Sequence, residues 1–190
     1  MKKLTILAVA MIGCFFLASC NKSPKEAIMT ATDALFAQAE TDVKAITNAE
    51  DFLNFFTNFE QKKEDFLMDL TNKYETDEEG NFTAMSAEEN EALNNFMYER
   101  ASAYNKIEAE KCGEVLEPLM ARFENAVNNV WEKYNAEEDI DDAMIEEIEN
   151  AMGALEPYEV LDNVPTSLAE RFEEAYNKLT VMFDFVEEEE

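Results

Sequence analysis

SAEENEALNNFMYERASAYNKIEAEKCGEVLEPLMARFENAVNNVWEKYN, residues 86–135, reads as one long amphipathic helix. Ser86 with Glu89 three residues on is a capping box, in which hydroxyl and carboxylate each bond the other residue's backbone N–H. Behind it Leu93, Phe96, Met97, Tyr104, Ile107, Cys112, Val115, Leu119, Phe123, Val127, Val130 and Tyr134 recur at three- and four-residue steps. That spacing stacks them on one side of a helix. Gly113 and Pro118 interrupt it. Proline brings no backbone donor, so a kink or break is expected near 112–118.

The flanking segments keep the same period. Ser23, Pro24 and Glu26 make a capping box with proline at the first helical position, opening a helix to about residue 46 with Ile28, Leu35, Ala39 and Val43 on one face. Asn48 can cap a second helix over about 49–75, where Phe52, Phe56, Phe59, Phe66, Leu70 and Tyr74 form the stripe. Such a stripe is core in the first instance, though its width leaves room for a docking surface. A loop follows at 76–85. A shorter helix over about 141–152 has Asp141 and Asp142 at its positive end. Pro157 and Pro165 bound an irregular link, and Thr166 with Ser167 is expected to cap a last helix to about 184. No strand-like run or internal repeat stands out. The predicted architecture is an all-α bundle of five to six amphipathic helices, with one domain over 23–186 and an acidic, frayed tail at 187–190.

The amino terminus carries a different message. Lys2 and Lys3 lead into an apolar run from Leu4 to Leu17, followed by Ala18, Ser19 and Cys20. A helix of about 14 residues rises about 21 Å, short of the ~30 Å hydrocarbon core, so the run suits a signal peptide better than a membrane span. Leu17-Ala18-Ser19-Cys20 fits the lipobox at every position, and residues 1–20 resemble bacterial lipoprotein precursors. That resemblance implies removal of residues 1–19 by cleavage between Ser19 and Cys20. It also implies diacylglycerol on the Cys20 sulfur and palmitate-type N-acylation of the new terminus. Residues 20–22 would be a lipidated end and short tether, holding the domain close to the bilayer. Asn21 follows the cysteine where some inner-membrane lipoproteins have Asp, which favours the periplasmic face of the outer membrane if the cell has two.

Charge narrows the partners. The chain holds 43 acidic and 15 basic residues, a net charge of −28 that deepens once Lys2 and Lys3 leave. Such a surface repels nucleic acid and anionic headgroups and admits metal ions, basic peptides or a basic protein face. With 47% apolar residues, 14 of them Phe, the chain can still bury a core.

Chemistry is sparse. The absence of histidine removes Ser-His-Asp and Cys-His triads and His-ligated zinc. Four glycines, one in the signal peptide, leave no phosphate-cradling loop. Aligning Gly80 with the sixth position of a calcium loop places Glu75, Asp77 and Glu79 at ligand positions. However, Ser86 stands where the bidentate Glu belongs, so the better reading is an acidic turn. Carboxylate pairs such as Glu146/Glu149 and Glu88/Glu91 are too common here to single out. Cys14 leaves with the signal and Cys20 is acylated, so Cys112 has no internal disulfide partner. Among its acidic neighbours Glu108, Glu110 and Glu114 it reads as a buried small hydrophobe, with a reactive or intermolecular thiol as the other possibility. No catalytic, cofactor or metal residue is nominated. The expected function is a membrane-anchored, non-catalytic helical interaction or scaffold lipoprotein of the cell envelope, docking a partner through an acidic or Phe-lined face. The alternative is an acidic buffer of cations or cationic peptides, including a chaperone-like holder of basic clients.

Overall fold

The computed structural model describes residues 22–183. The signal peptide, Ser19 and Cys20 at its cleavage point, and the tail at 187–190 lie outside them. Within that span the chain is all-α, of the bundle class that its periodicity predicts. Its helices are α1 (Pro24–Lys44), α2 (Ala49–Lys73), α3 (Ala87–Asn135), α4 (Asp142–Gly153) and α5 (Thr166–Phe183), with a 3₁₀ turn at Glu156–Tyr158. Among the described residues the only β-type pairing is an isolated bridge between Thr76 and Phe82. No described helix is long and apolar enough to cross a membrane.

The helices start where their caps are. The Ser23 hydroxyl accepts from the Glu26 N–H at 3.3 Å, and the Ser23 N–H donates to Glu26 Oε2 at 3.1 Å. Ser86 and Glu89 repeat the exchange at 3.2 and 3.0 Å. Asn48 Oδ1 accepts from the Asp51 N–H at 2.9 Å, and Asp141 Oδ1 from the Met144 N–H at 3.0 Å. Each such cap contributes about 1 kcal/mol. The start of α5 differs from expectation. Thr166 is its first helical residue, and the Pro165 carbonyl accepts from the Leu168 and Ala169 N–H groups at 2.9 and 3.2 Å.

Helix α3 stays unbroken from Ala87 to Asn135 with Pro118 inside it, and the interruption takes the form of a bent helix. An interior proline costs about 3 kcal/mol. Around it Val115, Leu116, Met120 and Phe123 are all buried, each side chain contributing about 1.5–3 kcal/mol, so burial outweighs the missing bond. Gly113 is not a breaker either. A Cβ there would lie 3.1 Å from Pro165 Cγ, so glycine lets the link before α5 approach α3 closely. Gly113→Leu should therefore destabilise by about 1–3 kcal/mol through overpacking, read as a lowered urea midpoint. An unchanged midpoint would show that Pro165 yields freely.

The chain forms two compact units, one from 22–46 with 54–108, the other from 47–53 with 109–183. The core of the first holds Ile28, Leu35, Phe36 and Val43 of α1, Phe56, Phe59, Phe66 and Leu70 of α2, and Leu93 and Tyr104 of α3. Phe36, Phe59 and Tyr104 form an aromatic triangle with ring centroids 4.8–6.0 Å apart. The Tyr104 hydroxyl donates to buried Glu108 at 2.9 Å. Burial first, then the Glu108 charge, pushes the phenol far above its usual range. Arg100 of α3 reaches α1, donating to Asp33 at 2.7 Å and also to Glu40.

Buried Asn90 fastens the loop that precedes α3. Its Oδ1 accepts from the Phe82 N–H at 3.0 Å, and its amide donates to the Phe82 and Ser86 carbonyls at 3.1 and 3.2 Å. Inside the loop, Asp77 Oδ1 accepts from the Glu79 and Asn81 N–H groups at 3.0 and 2.8 Å. These amides, Asn81's foremost, hold the Asp77 carboxyl below the usual range. Gly80 supplies the left-handed turn at φ 84°.

The second unit has a core of Phe52, Cys112, Phe123, Val127 and Val130, joined by Ile148 and Ala151 of α4 and Leu168, Ala175 and Leu179 of α5.

Candidate functional site

The second unit ties two helices to α3 with arginine. Arg171 of α5 donates to Glu117 at 2.7 and 3.0 Å and to Glu124 at 2.9 and 2.5 Å. Those glutamates lie seven residues apart, two turns along one face of α3. A planar five-donor guanidinium suits this double grip and an ammonium does not. Arg122 of α3 donates to both Glu147 oxygens on α4 at 2.8 and 3.2 Å. Hydrogen bonding in these pairs holds the Glu117 and Glu147 carboxyls below the usual range and both guanidiniums above theirs. Lys178 adds a bond to Asn128 at 3.0 Å. With Arg100 in the first unit, all three arginines of the chain join one helix to another.

The register set by Arg171 places its neighbour Phe172 on Phe123, rings 5.2 Å apart and nearly parallel at 25°. Tyr176, one turn on, stacks with Phe172 at 6.2 Å and 16°. Leu168, Phe172 and Tyr176, four residues apart, form one stripe of α5. This stripe does not close fully on the rest of the unit. It lines a groove of about 690 Å³ together with Leu116 and Met120 of α3, Met152 of α4, and Leu155 and Val164 of the link. That volume lies in the range of small-molecule and peptide-anchor pockets.

The groove is apolar inside and acidic at its edge. Glu149, Glu156 and Glu159 also line it. All three are exposed, and among the described residues none has an ion-pair partner. Within the groove, burial and then Glu50 push the Tyr158 phenol above its usual value. The groove thus sets apolar walls beside carboxylates that have no counter-charge.

The apolar side of the last helix, legible in its spacing, supplies Leu168, Phe172 and Tyr176 to the groove, whereas the residues weighed for chemistry fall elsewhere, with one exception. Ser19 and Cys20 lie outside the described residues. Cys112 is buried at 1% exposure, as the small-hydrophobe reading expects. Phe52, Phe56, Phe59 and Phe66 are all buried, as the core reading expects, while Phe55 beside them is half-buried and Leu67 and Met68 are exposed. Glu88, Glu91 and Glu146 are exposed, and Glu149 alone of these reaches the groove. Among the described residues no three carboxylate or thiol side chains converge as metal ligands.

The sequence reads as an irregular link between Pro157 and Pro165, and Tyr158 and Val164 lie there, with Leu155 just ahead of it. One signal was present. Between Lys133 and Arg171 the chain has no basic residue at all while carrying Asp139, Asp141, Asp142, Glu146, Glu149, Glu156 and Glu159 among others. Apolar residues inside such a run are candidates for a cation-selective surface. Comparison of the chain with family models, with curated proteins and with solved structures finds no match.

Proposed function

We propose that this is a membrane-anchored, non-catalytic docking lipoprotein of the bacterial cell envelope. Acylated Cys20 holds the helical domain at the bilayer, on the periplasmic face of the outer membrane where two membranes exist. The second unit then receives a partner protein. The observation that carries this reading is the groove: a concave apolar surface left open beside three carboxylates without counter-charges. A solvated acidic shell would explain the charge but not the open apolar floor.

The test is zero-length carboxyl-to-amine crosslinking of the native protein in its own membranes, followed by mass spectrometry. One dominant envelope protein joined through Glu149, Glu156 or Glu159 is the expected result. A spread of unrelated basic proteins joined all over the acidic surface would overturn docking in favour of a general buffer of cationic clients.

A further inference from the structure

Resting on the docking reading, we propose that the groove receives a basic amphipathic helical segment of the partner. Its apolar side chains would seat against Met120, Met152, Leu155 and Phe172, and its lysines or arginines would face Glu149, Glu156 and Glu159. Three features of the groove support that occupant.

Charge is the first. Two of the groove's walls, α4 and the link, come from the run without a single basic residue, so nothing on them offsets an incoming cation's attraction. An anionic amphiphile such as a fatty acid is disfavoured by the same carboxylates. A neutral apolar chain would leave them with no role. Geometry is the second. A helix shows residues four apart on one face, about 6 Å along its axis. Such a ridge can enter a groove while flanking positive side chains lie over its rim, which is the helix-in-groove mode of recognition. The lining is the third. Thioethers at Met120 and Met152 adapt to different apolar anchors. The rings of Tyr158, Phe172 and Tyr176 can face a guanidinium or ammonium that the nearby carboxylates attract.

The experiment uses the chain as its own cells mature it, held in phosphatidylcholine nanodiscs. The probe is a fluorescent Leu/Lys amphipathic helix of about four turns, compared with a peptide of identical composition whose order removes the apolar face. Binding is followed by anisotropy. Two triple variants remove equal charge: E149Q/E156Q/E159Q at the groove, and E88Q/E91Q/E99Q at exposed positions in the first unit. A fourth protein carries Ala169→Trp, which fills the groove from an exposed position on its lining.

The groove triple and Ala169→Trp should each weaken the amphipathic probe about tenfold or more, with less than a twofold effect of the distal triple. The scrambled-order peptide should bind far more weakly than the amphipathic one. Equal losses in both triples, or equal binding of both peptides, would reduce the effect to bulk charge and overturn the proposal. Tighter, groove-dependent binding of dodecyltrimethylammonium than of the helix would also overturn it, replacing the peptide by a cationic amphiphile. A dominant crosslinked partner in membranes, together with failure of the basic helix here, would leave docking standing and remove only this occupant.

Discussion

Replacing Cys20 by alanine should abolish incorporation of an alkyne-tagged fatty acid and empty the membrane fraction of processed protein. Buried acyl carbon is worth ~0.8 kcal/mol per CH₂, so one chain holds a protein transiently whereas two or three hold it for good. No described helix can substitute as a membrane span, and the acidic body is repelled by anionic headgroups. Without its thiol, residue 20 cannot accept diacylglycerol, and cleavage that depends on that modification stops. Uncleaved precursor held by its own apolar run would be recognised by its larger size. Cys20→Ala protein that is labelled, or that is processed and still wash-resistant, would refute the lipoprotein assignment.

The second large effect concerns Phe123. Its ring is fully buried and stacks on Phe172, which in turn stacks on Tyr176 at the groove. Phe123→Ala should cost about 3–5 kcal/mol, the loss of a buried aromatic plus the cavity it leaves. Phe123→Leu, which keeps most of the volume, should cost about 1 kcal/mol. Both are read from urea unfolding followed by circular dichroism. The alanine variant should also loosen Phe172 and so weaken whatever ligand the groove takes. A cost below about 1 kcal/mol for alanine would mean that the ring is not packed as described.

The helices were legible because their ends are local chemistry. Ser23, Asn48 and Ser86 each announce a helix start within four residues, and each makes the bond that its type and position predict; Asp141, expected only as a charge at the positive end, also caps its helix. The groove was not legible because it is assembled from Leu116, Leu155 and Phe172, positions far apart in sequence with no shared period. Tertiary contact also reverses the meaning of single residues. Gly113 looks like a helix breaker in isolation and is a seat for Pro165 in the fold. Pro118, read as a kink or a break, lies inside a bent helix whose neighbouring side chains are buried. The α2 phenylalanines alone could not decide between core and surface, since both use the same spacing. Only the elements packed over them do.

The loop at 76–85 keeps its shape through side-chain bonds to its own amides. Its most calcium-like carboxylate, Asp77, is already engaged by the amides of Glu79 and Asn81, and Asn90 fixes the loop's far side to α3. The loop's shape is thus supplied by its own backbone. Those bonds hold the loop without calling on an ion.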